Sequence, residues 1–208
     1  MSDWKDCVVT LIDLVRIKVL ASGPKGLAST LMRKMHVTVS AEMRCGLPLH
    51  ECAYVWNDSI LLLAYLDRSH GPEPVLREVD RLKRSLSYLG ESYAISIKGQ
   101  TFPDLIARRP ATKYPRMTLI KASSFAMANC FRVEETIGKK LKRPWYVDSR
   151  LAGKIHTTQL FIKKSTNFLP GPETRDVHVY AGYLWEADGC DVNLALRSRT
   201  RTLPGHDE

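Results

Sequence analysis

Residues 54–67 read YVWNDSILLLAYLD, two runs of large apolar and β-branched side chains with Asn57 and Asp58 between them. Asn and Asp tolerate the positive φ angles that a two-residue hairpin turn demands, so this pair predicts a tight β-hairpin with Asp58 at its top. The arms are HECAYVW (50–56) and SILLLAYLD (59–67). A hairpin is antiparallel by construction, so a wholly parallel sheet is disfavoured.

Working outward, CVVTLIDL (7–14) is apolar and β-branched with Asp13 as its interior charge, and it reads as a buried central strand. After the breaker SGPKG (22–26), Leu27, Leu31, Met35 and Val39 recur every fourth residue and predict one face of a helix ending before CGLP. Beyond HGPEP (70–74), Val75, Val79, Leu82, Leu86 and Leu89 mark a second amphipathic helix. SYAISIKG (92–99) reads as a strand, 100–115 as a proline-punctuated loop, RMTLI (116–120) as a short strand, and 123–140 as a helix with serine at its start. The segment LKRPWYVDSRLAG (141–153) carries no assignable pattern, whereas IHTTQLFIKK (155–164) and DVHVYAGYLWEA (176–187) read as late strands.

This order predicts an α+β fold: an antiparallel or mixed sheet with helices packed on one side, its first hundred residues forming a ferredoxin-like βαββαβ core. In that core the first strand lies beside the hairpin, which brings Asp13 near Asp58. The length of 208 residues fits one domain, assigned to 1–196, followed by a disordered basic and polar tail at 197–208. With 44% apolar and 25% charged residues the composition is that of a globular protein. The N-terminus has charges inside its apolar stretch and suits neither a signal peptide nor a membrane span, and no other segment is long enough to cross a bilayer. Five cysteines without regular spacing favour a reducing compartment, the cytoplasm. CGLPLHEC (45–52) is read as a turn entering a strand rather than a zinc site. The net charge of +9 implies attraction to polyanions without choosing among them.

Two carboxylates at the ends of adjacent strands form an oxygen-rich pair suited to Mg²⁺ or Mn²⁺, and such a pair can hold two ions. An unpaired aspartate in a strand as apolar as VVTLIDLV is costly, which favours a role for Asp13 over chance.

Taken in order, VVTLIDLVRIK, AYVWNDSILLLA, YAISIKGQ and SFAMANCFRVEETIGKK resemble the catalytic domain of class III nucleotidyl cyclases over about residues 7–140. The resemblance implies that Asp13 and Asp58 are the metal aspartates, with the Leu14 backbone carbonyl as a further ligand. It implies that Arg132, followed by Glu134, contacts the reacting phosphate across a homodimer interface. Asn129 lies three residues before Arg132, where the family has asparagine four before, and Ala128 takes that place. Arg16 replaces a glycine of the phosphate-binding turn, and Arg16 and Lys121 are carried over as substrate-binding residues. Tyr54 stands where purine cyclases carry a Lys or Glu that reads the base edge. A ring there either packs in the sheet or fills the base pocket, and the second option disfavours a purine. The chain is thus similar to the pyrimidine cyclases of Pycsar antiphage systems, which implies UTP or CTP as substrate, cyclic UMP or cyclic CMP as product, and a separate effector activated by it. The alternatives are a non-catalytic nucleotide- or RNA-binding module of the same fold and a metal-dependent nuclease.

Overall fold

The computed structural model describes residues 4–15, 23, 26–66, 70–101, 108–110, 118–120, 124–139, 144–152, 161–168 and 180–187. In chain order these form β1 (Lys5–Leu14), α1 (Leu27–Cys45), β2 (Cys52–Trp56), β3 (Ser59–Tyr65), α2 (Pro72–Ser85), β4 (Ser92–Thr101), β5 (Arg108–Pro110), β6 (Thr118–Ile120), α3 (Phe125–Val133), β7 (Trp145–Asp148), the short α4 (Ser149–Ala152), β8 (Phe161–Phe168) and β9 (Tyr180–Ala187). Seven strands make one sheet in the order β2-β3-β1-β4-β7-β9-β8, and β5 pairs with β6 separately. Every pairing is antiparallel except β4 with β7. The expected βαββαβ core is present, with β1 between β3 and β4.

The hairpin closes where its residue types require. Trp56 pairs with Ser59, and Asn57 takes a φ of 49° in the turn between them. On β1, Val8, Ile12 and Leu14 face α1 and α2, where they meet Met35, Val39, Val75 and Leu82. Cys7, Val9 and Leu11 face the other way, toward Ala126, Cys130 and Val133 of α3.

Helices therefore cover both faces of the sheet, a correction to the expectation of one. The reason was present in the sequence: β1 is continuously apolar rather than alternating, and such a strand must be covered on both sides. Gly99 permits the close seat of α3, because a Cβ at that position would lie 2.7 Å from the Cβ of Ala126.

Two segments differ from the reading of their sequence. The unassigned WYVD forms β7, fully buried and parallel to β4, with Ala94 opposite Trp145. Its Trp145 indole N–H donates to Ser96 Oγ at 3.0 Å, and Ser96 Oγ lies 2.8 Å from Thr10 Oγ1, so three strands share one buried polar chain. The proline-punctuated loop contains the short β5, which pairs with the expected β6. Ser124 caps α3 as predicted, its Oγ accepting from the Met127 amide at 3.0 Å, but the helix gives way to a π-helical turn over Glu134–Gly138. The second amphipathic helix stops at Ser85, and Leu89 closes its stripe from a 3₁₀ turn over Ser87–Leu89. The tail at 197–208 lies outside the described residues. Among the described residues, no helix is long and apolar enough to cross a membrane.

His50 ties the approach to β2 onto α2. Its Nδ1 lies 2.8 Å from Glu78 Oε2, which also accepts from the Leu49 amide at 3.1 Å, while the buried Nε2 has no hydrogen-bond partner. That arrangement suits a neutral imidazole donating through Nδ1–H.

Two predictions follow from these local geometries. Asn57→Val places a β-branched residue at positive φ and is expected to lower the unfolding free energy by about 1–2 kcal/mol, with Asn57→Gly close to neutral in urea denaturation. Burial holds the His50 imidazole below its ordinary 6.5. The unfolded chain then takes up that proton first, so the contribution is full above pH 6.5 and declines as pH falls through it. Urea curves at about pH 7.5 and about pH 5.5 should show this loss in the wild type and a smaller one in His50→Gln.

Candidate active site

Asp13 sits one residue from the end of β1, on the face covered by α3. The two strands beside it supply its neighbours, Ser59 on β3 and Tyr93 on β4, each directly opposite in register. Ser59 Oγ donates to Asp13 Oδ1 at 2.7 Å. The Tyr93 hydroxyl donates to Glu134 Oε1 in the π-helical turn at 3.4 Å.

Asp58 is half-buried in the hairpin turn, and its backbone carbonyl accepts from the Leu14 amide at 3.0 Å. The residue after Asp13 is thus stitched to Asp58 itself. Both acids stand at the same end of neighbouring strands, as the sequence led one to expect. Leu14 ends β1 with its side chain in the opposite core, which leaves its backbone as what it offers at this end of the sheet.

Electrostatics mark this end of the sheet as negative. Burial and the charges of Asp13 and Glu134 push the Tyr93 phenol above its usual range. Glu134 is itself raised, mainly by burial, against the opposing pull of Lys139, whose Nζ is 3.7 Å away. The donors available to a cation at the paired aspartates are all hard oxygens, which fits Mg²⁺ or Mn²⁺. Among the described residues, no group of three or more His, Cys, Asp and Glu could hold a metal ion. Mg²⁺ bound by a pair of carboxylates keeps water and takes phosphate oxygens as further ligands.

Tyr54 lies on the same sheet face, opposite Leu61 in register, and packs in the cluster beneath α3. Burial raises its phenol and the thiol of Cys52 alike, so the phenol is neutral. At the hairpin's end Trp56 meets Phe131 of α3 with ring centroids 5.9 Å apart.

Arg132 occupies the last turn of α3 at the margin of its buried stripe. Asn129 belongs to the stripe itself and is 3% exposed. Its amide is enclosed within the protomer, so it packs between helix and sheet instead of standing beside Arg132 on an outward face. Arg16 and Lys121 lie outside the described residues.

Ser59 and Tyr93 were absent from the sequence reading. Ser59 follows Asp58 directly, but its bearing on Asp13 depends on the β1–β3 register, and that of Tyr93 on the β1–β4 register, neither of which is encoded locally.

No protein-family model and no curated protein matches the sequence. Solved structures do match in shape. The adenylyl cyclase CyaB from P. aeruginosa superimposes with a TM-score of 0.58 at 8% identity, over 89% of this chain and 95% of that one. The shared architecture is that of a class III cyclase domain. The guanylate cyclase domain of RhGC from Catenaria anguillulae, solved with GTP, gives a TM-score of 0.51 at 11% identity, over 88% of this chain and 97% of that one. A monomeric double mutant of the guanylyl cyclase domain of the RhoGC fusion protein from Blastocladiella emersonii gives 0.50 at 10%, over 88% and 96%.

Asp13→Ala removes the acceptor of the Ser59 hydroxyl and is expected to cost about 1 kcal/mol in chemical denaturation. Asp58→Ala, at a half-exposed turn, should cost about 0.5 kcal/mol or less. Both should lose Mn²⁺ binding measured by calorimetry while keeping the wild-type circular dichroism spectrum.

Proposed function

We propose that this chain is a pyrimidine nucleotide cyclase, converting UTP or CTP to the 3′,5′-cyclic monophosphate and pyrophosphate, with UTP favoured. The observation that carries the proposal is the meeting of Asp13 and Asp58 at one end of β1 and β3 on a cyclase architecture. In this reading Asp13, Asp58 and the Leu14 carbonyl hold two Mg²⁺ or Mn²⁺ ions. Bound there, the ions supply an acidified ribose 3′-hydroxyl and charge neutralisation at the leaving pyrophosphate.

The chain's own residues do the rest. The carboxylates would hold the cations that draw the triphosphate against the sheet end, which would set the hydroxyl in line with the α-phosphorus. Arg132 of a second copy stabilises the charge that builds on the α-phosphate, a contribution whose loss costs on the order of a hundredfold in rate. Arg16, Lys121 and the net charge of +9 favour capture of the anionic substrate.

Tyr54 supports the choice of base. A neutral ring in the position of a base-reading side chain occupies more of the pocket than Lys or Glu and offers one hydroxyl, which suits a single-ring base. The product would then serve in the cytoplasm as the messenger of an antiphage response, acting on a separate effector. The competing reading as an RNA-binding module requires strand aromatics on an open sheet face. Here α3 covers that face, and Trp56 is engaged by Phe131.

The test is to incubate the purified protein with all four ribonucleoside triphosphates and Mn²⁺ and to identify products by mass. Cyclic UMP or cyclic CMP is expected, and cyclic purine nucleotides or strand cleavage of added RNA would overturn the reading. Asp58→Ala and Arg132→Ala chains, each inactive alone, should recover about a quarter of wild-type turnover when mixed equally, because hybrid dimers hold one whole site.

A further inference from the structure

A large share of the cationic surface lies away from the candidate active site, on the layer formed by α1 and α2. The two helices carry seven Lys and Arg against four Asp and Glu. The acids are sunk and engaged. Glu42 accepts from Ser85 Oγ at 2.6 Å and lies 3.7 Å from Arg81, while Glu73 pairs with Arg77 at 2.7 Å and Asp80 with Arg84 at 2.9 Å. Glu78 is taken by His50 and the Leu49 amide. The most open of these carboxylates, Glu73, is 26% exposed, whereas Arg81 and Arg84 are 45% and 46% exposed. What the layer presents is guanidinium.

On α1 the outward side bears cations alone. Arg33, Val37, Ser40 and Arg44 follow one another at spacings of four, three and four, which places them on one helical face, and all four are exposed. Glu42, the one acid of the helix, turns to α2 through Ser85. Arg33 and Arg44 stand about 16 Å apart along the axis, and the side chains between them on that face are short. Val37 is 62% exposed at its centre, and Tyr88, 57% exposed, borders α1 with its hydroxyl 2.7 Å from Thr38 Oγ1. A lone exposed valine means nothing by itself. A solvated helix face, however, usually alternates charges of both signs, and this one is cationic at its ends and apolar in the middle.

We propose that the outward face of α1, with Arg81 beside it, docks on an anionic lipid bilayer. Charge complementarity selects phosphate and carboxylate groups, and the shape of the face selects their source. A helix that reads a nucleic-acid groove needs long side chains at its centre to reach the base edges. Here the centre is Val37 and Ser40, and the long chains flank them. Cations that meet lipid headgroups around a shallow apolar centre are the arrangement of an interfacial helix. The layer covers the sheet face away from α3 and Asp13, so docking leaves the candidate active site open. The proposal is independent of the nucleotide chemistry.

The test is co-sedimentation of the full chain with vesicles of phosphatidylcholine, with and without phosphatidylserine. The wild type should bind the mixed vesicles, release them as salt rises, and ignore phosphatidylcholine alone. Each basic residue near such a surface is worth roughly fivefold in affinity, so Arg33→Gln with Arg44→Gln should weaken binding about twentyfold. Val37→Asp, which sets a like charge against the lipid, should weaken it about fivefold. Removing the same charge from the tail, as Arg199→Gln with Arg201→Gln, should leave affinity near wild type. Equal binding to phosphatidylcholine alone, full affinity in the α1 double variant, or a loss in the tail variant as large as in the α1 variant overturns the proposal. Single-stranded RNA that displaces the chain from vesicles at equal phosphate concentration, and that the α1 double variant no longer binds, assigns the face to nucleic acid and overturns it too. Should the double variant lose its circular dichroism, Val37→Asp decides alone.

Discussion

The antiparallel register of β1 between β3 and β4 is the constraint on which the remainder of the molecule depends. It sets Asp13 opposite Ser59 and Tyr93 and gives Leu14 the carbonyl of Asp58 as its amide partner. Side chains alternate along a strand, so a slip of one residue would send Asp13 into the core beneath α1 and α2. A slip would bury the Asp13 charge in an aliphatic core, because both faces of β1 are closed by helices. Each fully buried Leu or Ile on it is worth roughly 1.5–3 kcal/mol, which far exceeds the effect of any turn residue.

The layering assigns distinct tasks to the two faces. Beneath α1 and α2 lies an aliphatic core that only has to hold the sheet together. The face under α3 is more mixed, with Tyr54, Tyr93, Tyr146 and three cysteines among its members. It is on this side that Asp13 emerges, that α3 ends in Arg132, and that the hairpin aromatics meet the helix. The π-helical turn after α3 rotates the chain out of regular helix just where Glu134 approaches Tyr93. Irregular helix of this kind is frequent at functional sites.

A shared architecture at 8% identity with CyaB is understandable in these terms. What the fold requires is a doubly buried first strand, a tight hairpin beside it and three amphipathic helices, and many residue choices satisfy each requirement. Of the positions that differ from the purine-cyclase pattern, Tyr54 packs beneath α3 and Ala128 is half-buried on that helix. Asn129 beside it has been taken into the packing.

Sequence alone determined the hairpin, the two amphipathic helices, the capped α3 and the convergence of Asp13 with Asp58, because each of these follows from local turn chemistry, periodicity or the order of neighbouring elements. It left β7 unread, since WYVD is buried by pairing in parallel with β4, a partner far away in the chain. It placed helices on one side although β1 is apolar on both, a signal that acquires meaning only once α3 is seen to need the second face. The burial of Asn129, the hydrogen bond of Ser59 to Asp13 and that of Tyr93 to Glu134 were decided by the tertiary structure. Side chains two strands apart meet through register and helix docking, and those are settled by the packing of the whole core rather than by any short run of residues.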